Sequence, residues 1–185
     1  MIIIGITGTL GSGKGTVVDY LVTKKGFKHF SVREFIGKEI TKKDLPITRD
    51  NLVLMGNELR KKYGPSYIAK TLYERAKKSG KNTIIESLRN PYEVTTLRKM
   101  GTFYLFALDA NPKVRFQRVL KRASETDKIT FQEFINHEER EMSSKDPTKQ
   151  NLKKVISMAD FKFKNDGSLK ELYDQIEKAL KSIIS

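Results

Sequence analysis

No cysteine occurs in the 185 residues, which excludes disulfides and thiolate chemistry and suits a reducing compartment. Histidine is scarce: with only His29 and His137, a zinc site would have to rely on carboxylates, and no suitable cluster accompanies them. Long hydrophobic runs are also missing. The apolar stretch Ile2 to Thr7 enters a glycine-rich segment within a few residues, far short of the ~20 residues that span a bilayer. The expectation is a soluble, cytoplasmic chain with neither signal peptide nor membrane association. Acid is in deficit, 22 acidic residues against 36 basic ones, for a formal net charge of +14. Pairs such as Lys24-Lys25, Lys42-Lys43, Lys61-Lys62 and Lys153-Lys154 are scattered and form no single block, which favours solvated faces and anion steering. Nucleic acid is a partner the charge permits but does not favour, because no aromatic-interleaved RNA motif or recognition helix accompanies it. With 38% hydrophobic residues, the chain suits one domain over 1–185.

Against these absences stands one strong motif, Gly8-Thr-Leu-Gly11-Ser12-Gly13-Lys14-Gly15-Thr16, directly after the first apolar stretch. A strand that turns through glycines into a helix aims several backbone N–H groups at one point, where the positive end of the helix dipole adds to them. That point binds phosphate, and Lys14 supplies a mobile charge for the β and γ phosphates of a nucleotide, with ATP the expected donor. The usual Ser or Thr directly after the lysine is replaced by Gly15, and the hydroxyl is postponed to Thr16. Mg²⁺ is therefore expected to be held mostly through water.

Downstream, strands and helices alternate. Val17, Val18, Leu21 and Val22 continue the loop into a helix ended by Gly26, and Phe27 to Ser31 reads as a second strand. Helices bearing Val32, Phe35, Ile36 and Ile40, then Leu52, Met55 and Leu59, then Ile68, Leu72 and Ala76 form a helical insert over 32–80. Strands follow at Asn82 to Glu86, Thr102 to Leu108 and Asp160 to Asn165. Capping boxes at Thr130–Glu133 and Ser168–Glu171 start helices near Phe131 and Leu169. This order predicts an α/β fold of three layers, a five-stranded parallel sheet with helices on both faces.

The candidate site residues lie at the strand ends. Glu86 closes a buried strand, where a carboxylate is costly without a cation, so it is a candidate to organise Mg²⁺ or its water shell together with Thr16. Arg89, three residues later, could hold an acceptor's phosphate. Arg118 and Arg122 are four apart and share a helix face that can grip one polyphosphate. Arg33 and Glu34 follow the second strand and read equally as substrate contacts or surface pairs. Arg49 and Arg60 lie in the insert, where a second substrate could sit. Ser124 to Asp127, within a lid region over 123–142, could close and carry Arg140 toward the donor, or form a surface turn. Asn165-Asp166-Gly167 could line an adenine pocket or make a strand-to-helix turn.

In these segments the chain resembles adenylate kinases and related nucleoside monophosphate kinases. Gly8 to Thr16 looks like their phosphate loop. Phe30 to Glu34 resembles their Ser-Thr-Gly-Asp segment, and Glu86-Ser87-Leu88-Arg89 sits where they have Asp-Gly-x-x-Arg. Arg118 and Arg122 match their paired donor-side arginines. Glu34 and Glu86 stand in place of aspartates, and Ser87 in place of a glycine. The resemblance implies a P-loop kinase fold with ATP and Mg²⁺. It also implies a small phosphorylated acceptor held by Arg89, with the donor held by Arg118 and Arg122. A second likeness, Ala159-Asp160 through Asn165-Asp-Gly167, is to dephospho-CoA kinase, although that enzyme's pair of aspartates after the second strand is replaced by Ser31-Val-Arg-Glu34. The chain as a whole also resembles archaeal and bacterial kinase-like proteins between these two families. A nucleic-acid-associated ATPase is the alternative of another class.

Overall fold

Period-two burial in the first strand sets the architecture. Strand β1 (Ile3–Gly8) is buried along its whole length, with Ile3 packed into one core and Ile4 and Ile6 into another, as expected of a strand covered on both sides. The structure, a computed structural model, describes residues 1–122 and 129–183. After β1 come α1 (Lys14–Lys25), β2 (Lys28–Ser31), α2 (Val32–Thr41), α3 (Arg49–Tyr63), α4 (Tyr67–Ser79) and β3 (Thr83–Glu86). The second half runs α5 (Pro91–Met100), β4 (Phe103–Asp109), α6 (Pro112–Arg122), α7 (Phe131–Met142), α8 (Leu152–Ser157), β5 (Phe161–Lys164) and α9 (Leu169–Ile183).

The strands form one sheet in the order β2-β3-β1-β4-β5, and every pairing is parallel. The five expected strands are all present. On one face lie α2, α3, α4, α5 and α8, burying Phe35, Met55, Leu72, Val94 and Val155 against Ile3, Ile85 and Leu105. On the other, α1 and α9 bury Val17, Leu21, Leu172 and Ile176 against Ile4, Ile84 and Phe106. Each fully buried aliphatic side chain contributes ~1.5–3 kcal/mol of transfer free energy.

Caps fix where the helices begin. Ser31, Thr48 and Thr130 accept from backbone N–H groups three residues on, satisfying donors that the first turn leaves open. Gly26 and Gly80 end α1 and α4 in the left-handed conformation. The expected box at Ser168 is present, since Glu171 accepts from the Ser168 N–H and donates its own N–H back to the serine hydroxyl. Helix α5 was not expected. Its start carries the same grammar, Asn90 as cap, Pro91 at the first position and Glu93 closing a capping box. Among the described residues, no helix is long and apolar enough to cross a membrane.

Candidate phosphoryl-transfer site

All five strands end at one edge of the sheet, so the loops that leave them meet. Parallel register sets Gly8 beside Leu108, and Ser31 and Ile6 on either side of Glu86. In open parallel sheets ligands bind beyond this carboxyl edge.

The phosphate loop joins β1 to α1. Gly8, Gly11 and Gly13 have φ of +143°, +76° and +97°, a region that strains any residue with a Cβ. Gly13 has a second reason to be glycine, because a Cβ there would lie 2.2 Å from Asn165 Nδ2. That amide donates to the Ser12 carbonyl at 2.9 Å, and Arg118 Nη1 donates to the Asn165 carbonyl at 2.9 Å. Asn165 is buried and braces the loop from behind, in the turn between β5 and α9 that is one of its two readings. Ser12, also buried, belongs to the frame of the loop and not to its open face. Further struts come from Thr9, whose hydroxyl donates to Asp109 Oδ1 at 3.0 Å, and from buried Arg115, which donates to the Leu10 carbonyl and pairs with Glu138. Arg115 is a loop-holding residue that its unremarkable place in α6 did not reveal.

Lys14 folds back over this loop, its Nζ donating to the carbonyls of Gly8 and Thr9 at 3.0 and 2.8 Å. Burial and the neighbouring Arg89 lower its pKa to about 8. The ammonium is thus held by carbonyl groups that an arriving phosphate would replace.

The loop opens onto a cavity of about 610 Å³. Its floor is Gly11, Gly13, Lys14, Gly15 and Thr16; Glu86 and Ser87 enter from the end of β3. Arg33, Arg49 and Arg89 enter from the β2 and β3 side, Arg118 and Arg122 from α6 beyond β4. Most of the expected residues therefore converge. Gly8 takes part through its carbonyl. Glu34 does not take part: its side chain is 62% exposed and paired with Lys38 at 2.8 Å one turn on, a surface pair at the start of α2, so its substrate role is withdrawn.

Glu86 is enclosed by donors. Ser31 Oγ donates to Oε2 at 3.1 Å, Ser87 Oγ to Oε1 at 2.8 Å, and His29 Nε2 stands 3.9 Å from Oε2. Burial alone would raise its pKa, yet His29, Lys14 and Ser87 together hold it at about 2, so the carboxylate is charged throughout the neutral range. Hard oxygen donors from Glu86 and Thr16 in one cavity fit a small divalent cation that keeps part of its water shell. Among the described residues no cluster of three or more His, Asp or Glu side chains could hold a metal alone.

Ser87, which stands where the resembled kinases have a glycine, occupies φ +69°, in the left-handed region. A non-glycine residue there stores ~1 kcal/mol or more of backbone strain. The turn is held by Ser87 N–H to the Ile6 carbonyl and by Asn151 N–H to the Arg89 carbonyl, both at 2.9 Å. It presents the Arg89 side chain to the cavity, where Glu141 of α7 pairs with it and Gln150 accepts from it at 3.3 Å.

Arg60 departs most from expectation. It is absent from the cavity over the phosphate loop; its Nε and Nη2 donate to Glu93 Oε1 at 3.0 and 2.9 Å in an ion pair that is 1% and 0% exposed. It borders instead a smaller adjoining cavity with Arg33, Arg49 and Arg89. Arg140 pairs with Asp50 of α3 at 3.3 Å, so it faces the insert and not the donor. Residues 123–128 of the lid region, Ser124 to Asp127 among them, lie outside the described residues; Phe131–Met142 of that region is α7.

The sheet order, the braced glycine loop with its lysine and the arginines gathered above it define a P-loop protein of the nucleoside monophosphate kinase-like superfamily. The profile of the AAA domain matches residues 4–144, and the chain is 30% identical to a UPF0200 protein of Methanococcus maripaludis over 188 aligned positions, covering 100% of this chain and 99% of the relative. This chain belongs to the UPF0200 family and carries that AAA domain. Among solved structures, TT1252 from Thermus thermophilus matches with a TM-score of 0.66 at 19% identity over 98% and 97% of the two chains. Shikimate kinase from Bacteroides thetaiotaomicron matches at 0.59 and 14%, over 100% and 99%. Both likenesses are of fold.

Proposed function

We propose that this chain is an ATP- and Mg²⁺-dependent phosphotransferase that moves the γ-phosphate to a small phosphorylated acceptor, a nucleoside or deoxynucleoside monophosphate. One observation carries the reading: Lys14 stands between two sets of arginines that reach the same cavity from opposite sides of β1, Arg33, Arg49 and Arg89 on one and Arg118 and Arg122 on the other. A hydrolase needs one polyphosphate site; two cationic sets flanking one loop suit two phosphate-bearing substrates.

In this scheme the loop N–H groups and the N-terminus of α1 bind the donor's phosphates, and Lys14 exchanges its two carbonyl partners for phosphate oxygens. Arg118 and Arg122 neutralise the donor's charge, while Arg89 and Arg33 hold the acceptor. An acceptor oxygen attacks the γ-phosphorus as the bond to the bridging β–γ oxygen breaks, and ADP leaves. Thr16 and Glu86 would hold Mg²⁺, whose chemistry is to offset charge on the phosphate oxygens. Fixed positive groups in a site closed to water stabilise that charge without having to reorganise.

Asp160 and Asn165, which carry the likeness to dephospho-CoA kinase, are occupied structurally. Asp160 accepts from the Leu105 N–H and pairs with Arg98, and Asn165 braces the loop. That likeness supports the fold more than the acceptor. The test is transfer from labelled ATP to a panel holding nucleoside monophosphates, dephospho-CoA and small hydroxy acids. A labelled nucleoside diphosphate, lost in Lys14→Ala, supports the proposal; hydrolysis alone, stimulated by RNA or DNA, sinks it.

A further inference from the structure

Buried arginines normally satisfy every N–H, and an unpaired one costs several times what a hydrogen bond gains. Arg60 Nη1 is buried with no hydrogen-bond partner among the described residues, although Nε and Nη2 of the same guanidinium are paired with Glu93. The side chain borders a cavity of about 60 Å³. Space around Nη1 is kept open by Gly56, in the middle of α3, where a Cβ would stand 3.2 Å from that nitrogen and where glycine costs the helix ~1 kcal/mol against alanine.

From these features we infer that the small cavity is an oxyanion subsite with Arg60 Nη1 as its buried anchor, and that it takes oxygens of the acceptor's phosphate. The inference rests on the phosphotransferase reading above and narrows its acceptor. Val32, Ile36 and Leu52 supply apolar walls that exclude water, and Arg89 stands at the rim. Arg33, Arg49, Arg60 and Arg89 line the cavity with one carboxylate, Glu141, which pairs with Arg89, while Glu93 pairs with Arg60, so the lining keeps an excess of positive charge that favours an anion. At ~10–15 Å³ for each water-sized position, the space holds roughly four oxygen-sized groups, enough for one oxyanion and too little for a base or a sugar. The remainder of the acceptor extends into the neighbouring cavity of about 610 Å³, which shares Arg49, Val53, Glu141 and Gln150 with the small one. There the Asn57 Oδ1, buried without a partner, suits an N–H or O–H donor on the acceptor's body. Glu93 also connects the subsite to the turn that aims Arg89, since its other oxygen accepts from the Arg89 and Asn90 N–H groups at 3.1 Å.

The experiment titrates inorganic phosphate, and in a second arm acetate, into Lys14→Ala protein by calorimetry, so that the phosphate loop contributes little. Phosphate is expected to bind, and acetate to bind about tenfold more weakly or not at all; the reverse order overturns the assignment of the acceptor's phosphate to this subsite. Adding Arg60→Lys, which keeps a charge opposite Glu93 but replaces the planar fork with a single nitrogen that cannot span both Glu93 and the cavity, should weaken that binding about tenfold or more. Adding Val53→Phe, which fills the cavity and leaves the ion pair intact, should abolish it and decides the matter if Arg60→Lys fails to fold. Absence of binding by both anions, or binding unchanged by the substitutions, overturns the inference. Neither outcome depends on phosphoryl transfer, so a failed subsite and a failed kinase reading are told apart.

Discussion

Removing Glu93 should be the most damaging single change outside the loop. Its carboxylate is fully buried, accepts two bonds from Arg60 through one oxygen and two backbone N–H groups through the other. Glu93→Ala therefore leaves a buried guanidinium without its counter-charge, a loss of ~3–5 kcal/mol, and unmakes the capping box of α5, ~1 kcal/mol more. Against a total stability of ~5–15 kcal/mol for a domain, that is a large fraction. At ~2–4 °C per kcal/mol for a chain of this length, the thermal midpoint should fall on the order of 10 °C or more. Urea unfolding monitored by circular dichroism measures it. The double variant Arg60→Leu/Glu93→Leu should recover several kcal/mol relative to the single one, because no unpaired charge then remains. A Glu93→Ala protein within ~1 kcal/mol of the parent would refute the reasoning, as would a double variant less stable than the single.

Other expectations follow from the same geometry. The free protein's Lys14 titrates at about 8 and bound phosphate should raise that value; ATP affinity is then level below pH 8 and falls up to tenfold per pH unit above it. Calorimetry from pH 7 to 9.5 reads this, and a flat affinity contradicts it. Glu86 is depressed to about 2, so its contribution to stability is present above the ordinary glutamate range and is lost as pH falls from ~4.5 toward 2, which acid unfolding of Glu86→Gln beside the parent would reveal as a diminished slope. Gly13→Ala meets both a positive φ and the Asn165 amide, and should cost ~2–4 kcal/mol along with nucleotide binding; adding Asn165→Ala should relieve the clash but not the strain, and full recovery would contradict that division. Glu141→Gln frees Arg89 from a competing carboxylate and should lower the acceptor KM about fivefold, a gain of ~1 kcal/mol, whereas an unchanged KM would mean that the pair does not compete with substrate.

How far the sequence could be read differs between backbone and side chains. Glycines, caps and apolar periods are local, so the loop, the sheet and the helix starts at Phe131 and Leu169 were legible. Helix α5 carries a legible start, since Asn90 with Glu93 three residues on repeats the signal of Thr130–Glu133, with a proline at the first helical position. Glu34 has two readings, and the one that holds, a pair with Lys38 one turn on, is local and legible. Arg60 and Asn165 show where local reading stops, because Arg60 meets a glutamate 33 positions away and Asn165 a carbonyl 153 residues distant, and neither partner is visible from spacing. Ser87 shows another limit, since the φ of +69° it adopts leaves no signal in period or composition.

Transfer between two bound substrates is read from the fate of the γ-phosphate. With γ-labelled ATP, Mg²⁺ and a nucleoside monophosphate panel, label should appear in a nucleoside diphosphate with the parent protein, and in none with Lys14→Ala that is still folded. Label recovered only as inorganic phosphate, at a rate unmoved by any acceptor, would mean hydrolysis and no transfer.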